Sequence, residues 1–207
     1  MAEDGAGGRR RAADGLKRGL ILAAARRVFE AEGLDGASLR AIAAQAGYTP
    51  AALYFHFDSK EAIYAEVLDD SLAKLSAAVH RAVISARSPA ARLRAAAMGF
   101  FRFYADHPRD LDLGFYLFRG GMKPQGLGRA RDEALNAALA AALQPIADAA
   151  LALGAGRAAA RLLVVDTFAH AAGLLLLAHT GRIRMFGADA ARLMLRYIDG
   201  RIAGLRN

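Results

Sequence analysis

The sequence predicts an all-α protein of about nine helices, and three observations carry that prediction. Apolar residues recur three and four positions apart along most of the chain. No run of alternating β-branched residues is present. Helix starts are written as Ser or Thr followed by Pro or a helix former, and helix ends as Gly.

The elements follow in order. Residues 1–13 hold Arg9, Arg10 and Arg11 and no apolar period, so they are expected as a flexible basic arm. Leu16, Leu20, Ala24 and Val28 then mark a first helix up to Gly33. Ser38 caps a short helix whose Leu39, Ile42, Ala43 and Ala46 share a face and which Gly47 stops. Thr49-Pro50 starts another, about five residues long and ending near Tyr54. After Phe55-His56-Phe57, in which both phenylalanines are expected in the core, Ser59 caps a long helix from Lys60 to about Ala86. Ser88-Pro89 opens the next helix and Pro108 ends it, and a short helix from Arg109 to Arg119 gives way to a Gly-rich loop reaching Gly128. Arg129 to Leu153 reads as a helix kinked at Pro145, Arg157 to Thr180 as a nearly all-apolar one, and Ala188 to Leu205 as the last. The resulting domains are 14–60 and 61–207 behind the arm.

Composition narrows the chemistry. The chain has 207 residues and no cysteine, which removes disulfides, thiolate metal sites and thiol nucleophiles and suits a reducing cytoplasm. A net charge of +8 favours polyanionic partners. The longest apolar stretch, Leu162 to Ala178, is interrupted by Asp166 and His170, so no membrane span or membrane partner is expected. No phosphate-binding Gly loop, nucleophile-elbow serine or His-Glu zinc motif occurs, and Gly126-Leu127-Gly128 meets Arg131 where a dinucleotide fingerprint needs a third glycine. His107 lies near Asp106 and Asp110 but has no nucleophile to activate, so the chain is expected not to be an enzyme and to need no cofactor.

The informative segment is Ser38 to Tyr54, two short capped helices joined by Gly47-Tyr48, the arrangement that sets a second helix into a DNA major groove. Its continuation, Leu53-Tyr54-Phe55-His56-Phe57-Asp58-Ser59-Lys60-Glu61, makes the chain closely resemble the TetR family of transcriptional regulators. The matching positions run from Leu20 to Val67 and include the Gly33 turn, Ile42-Ala43, Ala46-Gly47, Thr49, Leu53-Tyr54, Phe57 and Ser59-Lys60-Glu61.

The residues suggest roles consistent with that resemblance. Thr49 and Pro50 turn the positive end of a helix toward the duplex, Tyr54 and Lys60 are expected to grip one phosphate strand, and Ser38 and Arg40 the other. Ala51 and Ala52 offer only methyl groups to the bases, and His56 completes the expected DNA face. Tyr48 stands where the family usually has a small aliphatic residue, and is either a ring packed in the turn or an extra phosphate contact. Residues 1–60 hold 9 basic and 7 acidic side chains, so a DNA face must come from where the charges point.

In the larger half, seven of the sixteen aromatic residues fall between Met98 and Met122. Phe101, Tyr104, Phe115, Tyr116 and Phe118, with Met98, His107 and Met122, are either core or the lining of an effector pocket, which the resemblance puts in this region. Phe168 and the pair Asp166 and His170, four apart on one helix, are expected to join that lining, the pair as hydrogen-bonded partners rather than metal ligands. By the same resemblance, the last two helices form a two-fold dimer face through Leu162, Ala169, Ala172, Gly173 and Leu176, with Ala191, Leu195, Ile198 and Ile202. The expected function is a homodimeric repressor of a palindromic operator, released by a small apolar effector. The competing readings are a DNA-binding regulator with a filled core and no inducer, and a helical adaptor for protein partners.

Overall fold

The structure is a computed structural model and describes residues 4–114 and 126–205, with the side chains of its first helix from Asp14 onward. The described residues form nine α-helices and one 3-10 helix and contain no strand. The α-helices are α1 (Asp4–Gly36), α2 (Leu39–Ala46), α3 (Pro50–Tyr54), α4 (Lys60–Ile84), α5 (Pro89–Asp106), α6 (Pro108–Gly114), α7 (Arg129–Ala152), α8 (Arg157–His179) and α9 (Ala190–Leu205), with the 3-10 helix at Arg182–Phe186.

Several boundaries differ from the sequence reading. Helix α1 starts at Asp4, where an irregular arm was expected; Arg9 to Ala13 are good helix formers, whereas Gly5, Gly7 and Gly8 before them are not, and propensity does not account for the first turn. Gly33 does interrupt it, with φ of 72° and ψ of 179°, but one more turn follows to Gly36. Pro145 lies inside α7, and the helix continues through it. The 3-10 helix had no sequence signal beyond the glycines that bracket it, Gly181 and Gly187, both in the left-handed region.

The chain divides into two compact units. One comprises the residues up to Asp70 with Asp112–Glu133, and so takes in the beginning of α4; the other comprises Ser71–Leu111 and the chain from Ala134. In the first unit Ile21, Ala25 and Phe29 of α1 pack with Ile42, Leu53, Phe57 and Ile63, all buried. Phe29 and Tyr64 meet edge to face at 4.8 Å, and the Tyr64 hydroxyl donates to the Leu113 carbonyl at 2.8 Å. Arg18 lies 4.5 Å over the Phe57 ring and pairs with Glu66, while Arg26 pairs with Asp70 at 3.1 Å, tying α1 to the start of α4.

In the second unit α5 lies against α8 and α9, and Leu93, Phe100, Leu175, Met194 and Ile198 form its dry centre. Arg94 and Asp199 join α5 to α9 on the outside at 2.6 Å. By length and composition α7 and α8 could each cross a membrane, although no span was expected from the sequence; the core helices of a bundle have the same composition. In α8 only 28% of the most apolar window is buried within the chain.

Candidate nucleic-acid interface

The geometry of α2 and α3 follows from local chemistry. The Ser38 hydroxyl accepts from the Ala41 N–H at 3.1 Å and the Thr49 hydroxyl from the Ala52 N–H at 3.2 Å, so each helix begins on a side-chain cap. Between them Gly47 adopts φ of 73°, a conformation that suits glycine, and the Tyr48 N–H returns to the Ala43 carbonyl at 2.9 Å. Pro50 takes the first position of α3, and Leu53, fully buried, anchors this five-residue helix to the core.

The outer face carries the predicted residues. Ser38, Arg40, Thr49, Pro50, Ala51 and Tyr54 are exposed, and Tyr48, Ala52 and His56 are half-buried. The sequence reading missed Phe55. It was expected in the core with Phe57, yet its ring is 87% exposed beside Tyr54 whereas Phe57 is 3% exposed. Phe55 caps the C-terminus of α3 in helical conformation with its side chain outward, and Phe57 two residues later lies under Arg18. The place of Phe55 directly after the last residue of α3 is the feature visible in the sequence.

Lys60 also departs from expectation. Its ammonium group donates to the carbonyls of Leu34, Asp35 and Ala37 at 2.9, 3.2 and 3.2 Å, so its three N–H bonds close the end of α1. A phosphate grip by Lys60 would have to break these bonds.

In the second unit the predicted pocket residues separate. Met98 and His107 line a groove between α4 and α5, whereas Phe101 and Tyr104 are buried in the core. Burial, with the Asp110 carboxylate adding to it, holds the Tyr104 phenol far above its ordinary pKa, so it stays protonated. Phe168 packs on Phe100 with ring centres 5.7 Å apart. Phe115, Tyr116, Phe118 and Met122 lie outside the described residues. Asp166 and His170 do not pair with each other: Asp166 reaches Arg201 at 3.1 Å, and His170 stacks on Tyr197 at 4.1 Å. Among the described residues no group of three possible ligands could hold a metal.

The predicted dimer residues divide by helix. On α8, Leu162 is 64% exposed and Leu176 59% exposed, Ala169 and Gly173 are exposed and Ala172 half-buried; Val165, which the sequence reading passed over, is 60% exposed on the same stripe. On α9, Ala191 and Leu195 are half-buried, but Ile198 is fully buried and Ile202 nearly so. The apolar stripe of α9 is therefore used against its own chain, and these two isoleucines are core residues with no surface for a partner.

Comparison with known proteins agrees with this arrangement. Residues 21–67 match the family described as bacterial regulatory proteins, tetR family. An 87-residue stretch is 38% identical to the HTH-type transcriptional activator FasR of Mycolicibacterium smegmatis, covering 42% of this chain and 40% of that relative's length. Among solved structures, a protein of unknown function from Rhodococcus sp. RHA1 is similar with a TM-score of 0.73 and 28% identity, over 92% of this chain and 96% of that one. The fold is also that of the transcriptional regulator FadR from Bacillus subtilis, solved in complex with stearoyl-CoA, with a TM-score of 0.68 and 16% identity over 89% and 97% of the two chains.

Proposed function

We propose that this chain is a regulator of the tetR family, whose model its residues 21–67 match, and a homodimeric repressor that holds a palindromic operator through two copies of α3 and releases it on binding a small, largely apolar ligand. The observation that carries the reading is the pair of side-chain-capped helices around Gly47 with an exposed outer face. Such a pair presents its second helix to a major groove, and two copies on a two-fold axis read two half-sites. The exposed stripe of α8, with Leu162, Val165 and Leu176 around the small Ala169 and Gly173, supports pairing with a second copy, because exposed large apolar side chains cost free energy until covered. An acyl chain bound by a protein of the same fold supports an apolar ligand.

Selection of bound fragments from random duplex DNA tests the reading. Enrichment of a palindrome, with retention that falls steeply as salt rises, is the expected outcome. Recovery of no preferred sequence would overturn it in favour of a helical adaptor. Because the Mycolicibacterium relative is an activator, the sign of regulation is a separate question. A reporter behind the enriched site should be transcribed more when this chain is absent; less transcription would make it an activator.

A further inference from the structure

The groove between α4 and α5 has a volume of about 700 Å³, inside the range of sites that hold small molecules. Its walls are stripes at helical spacing, running from Lys74 to Ala82 on α4 and from Ala95 to Asp106 on α5, with His107 just past the end of α5. The helices meet backbone to backbone at Gly99, where an added Cβ would lie 3.0 Å from the Ala82 Cβ and 3.3 Å from the Val79 Cα. The surface between the stripes is mainly apolar, built from alanines with Met98 and Phe103.

Charge is distributed unevenly over this surface. Lys74, Arg81 and Arg102 all line the groove, and Asp106 is the one carboxylate among its lining residues. Both arginines are exposed, and neither belongs to an ion pair among the described residues. The His107 ring is turned back on its own helix, with Nδ1 2.8 Å from the Phe103 carbonyl. Like charges around one groove repel each other, and a guanidinium is suited to bind a carboxylate or phosphate through two parallel bonds.

We propose that this groove binds an amphipathic anion, an alkyl chain ending in a carboxylate or phosphate, with Arg81 and Arg102 on the head and Met98 and Phe103 against the chain. The proposal rests on the reading of this protein as a ligand-responsive regulator and gives its ligand a charge. An alkyl chain alone would leave the arginines unused, and an inorganic anion would leave the apolar surface uncovered.

Decanoate, decyl phosphate and 1-decanol, each below any micellar concentration, are titrated into the full-length protein by calorimetry, with inorganic phosphate as a further probe. Both amphipathic anions should bind about tenfold or more tighter than decanol, and phosphate alone should bind far more weakly. The double variant Arg81→Gln with Arg102→Gln should lose about tenfold for both anions but keep its affinity for decanol. Its unliganded melting temperature should be unchanged, since both residues are exposed. Equal binding of decanol and decanoate, or undiminished anion binding by the double variant, would overturn the site. DNA affinity measured alongside separates the two readings. Anion binding at the arginines with no change in DNA affinity keeps the groove and removes the switch. Loss of DNA affinity to anions that bind the double variant equally well keeps the switch and removes the groove.

Discussion

The ammonium group of Lys60 lies 2.9 Å from the carbonyl oxygen of Leu34, joining the first turn of α4 to the end of α1 across 26 positions of sequence. The turn at Gly33 makes this possible, because a φ of 72° redirects the chain so that the carbonyls of Leu34, Asp35 and Ala37 converge on one donor group. The lysine therefore ties the start of α4 to the end of α1, on either side of the two short helices.

Replacing Lys60 by Met keeps the stem and deletes the bonds. Thermal or urea unfolding should show a loss of about 1–3 kcal/mol, the usual worth of bonds to a charged group. The salt dependence of DNA binding should keep its slope, because the ammonium group is already engaged by three carbonyls; a slope reduced by about 1 would return Lys60 to the phosphate grip.

The Thr49 cap can be tested apart from any DNA contact. Thr49→Ala should cost about 1 kcal/mol, and Thr49→Ser should restore most of it. Since α3 is only five residues long, DNA affinity in the alanine variant should fall further than stability does, read by fluorescence anisotropy on a labelled operator.

Phe55 is so exposed that Phe55→Ala should leave stability within about 0.5 kcal/mol of the parent. Phe57→Ala should cost about 3–5 kcal/mol, as expected for emptying a buried aromatic site. If Phe55 belongs to the DNA face, its variant should bind the operator more weakly while melting normally. Normal binding would remove it from that face.

Two arginine substitutions separate interface from core. Leu176→Arg should leave the helical content intact and halve the mass seen by light scattering, because this side chain is exposed in the single chain. Ile198→Arg should instead cost about 3–5 kcal/mol and unfold the second unit, because the charge would have no water and no partner. Unchanged mass for the Leu176 variant would move the dimer face elsewhere.

The His170 pKa is lowered from its ordinary value, chiefly by burial, with the nearby Leu193 backbone opposing the shift. Below about pH 6.5 the unfolded chain takes up this proton more readily than the folded one, so stability should be full above that pH and fall as the solution is acidified. His170→Gln should flatten this part of the pH profile of the melting temperature. An unaltered acid slope would assign the proton uptake to other groups.

The amino-acid sequence by itself determined most of the helices and the pair of capped helices around Gly47, because the interactions that define them are local. Ser38, Thr49 and Ser88 each cap an N–H three residues ahead, and Gly47 is needed where the backbone itself turns left-handed. Tertiary structure decided the direction in which side chains of the same type point and the partners they find. Phe55 and Phe57 are indistinguishable by type, and only the path of the chain beneath Arg18 makes one surface and the other core. Asp166 bonds Arg201, 35 residues away on α9, and not His170, four residues away on its own helix, whose ring stacks on Tyr197 instead. Ile198 and Ile202 read as a dimer stripe until α5 and α8 cover them. Periodicity along one helix shows that a face is apolar, but which neighbour covers that face depends on contacts far apart in sequence.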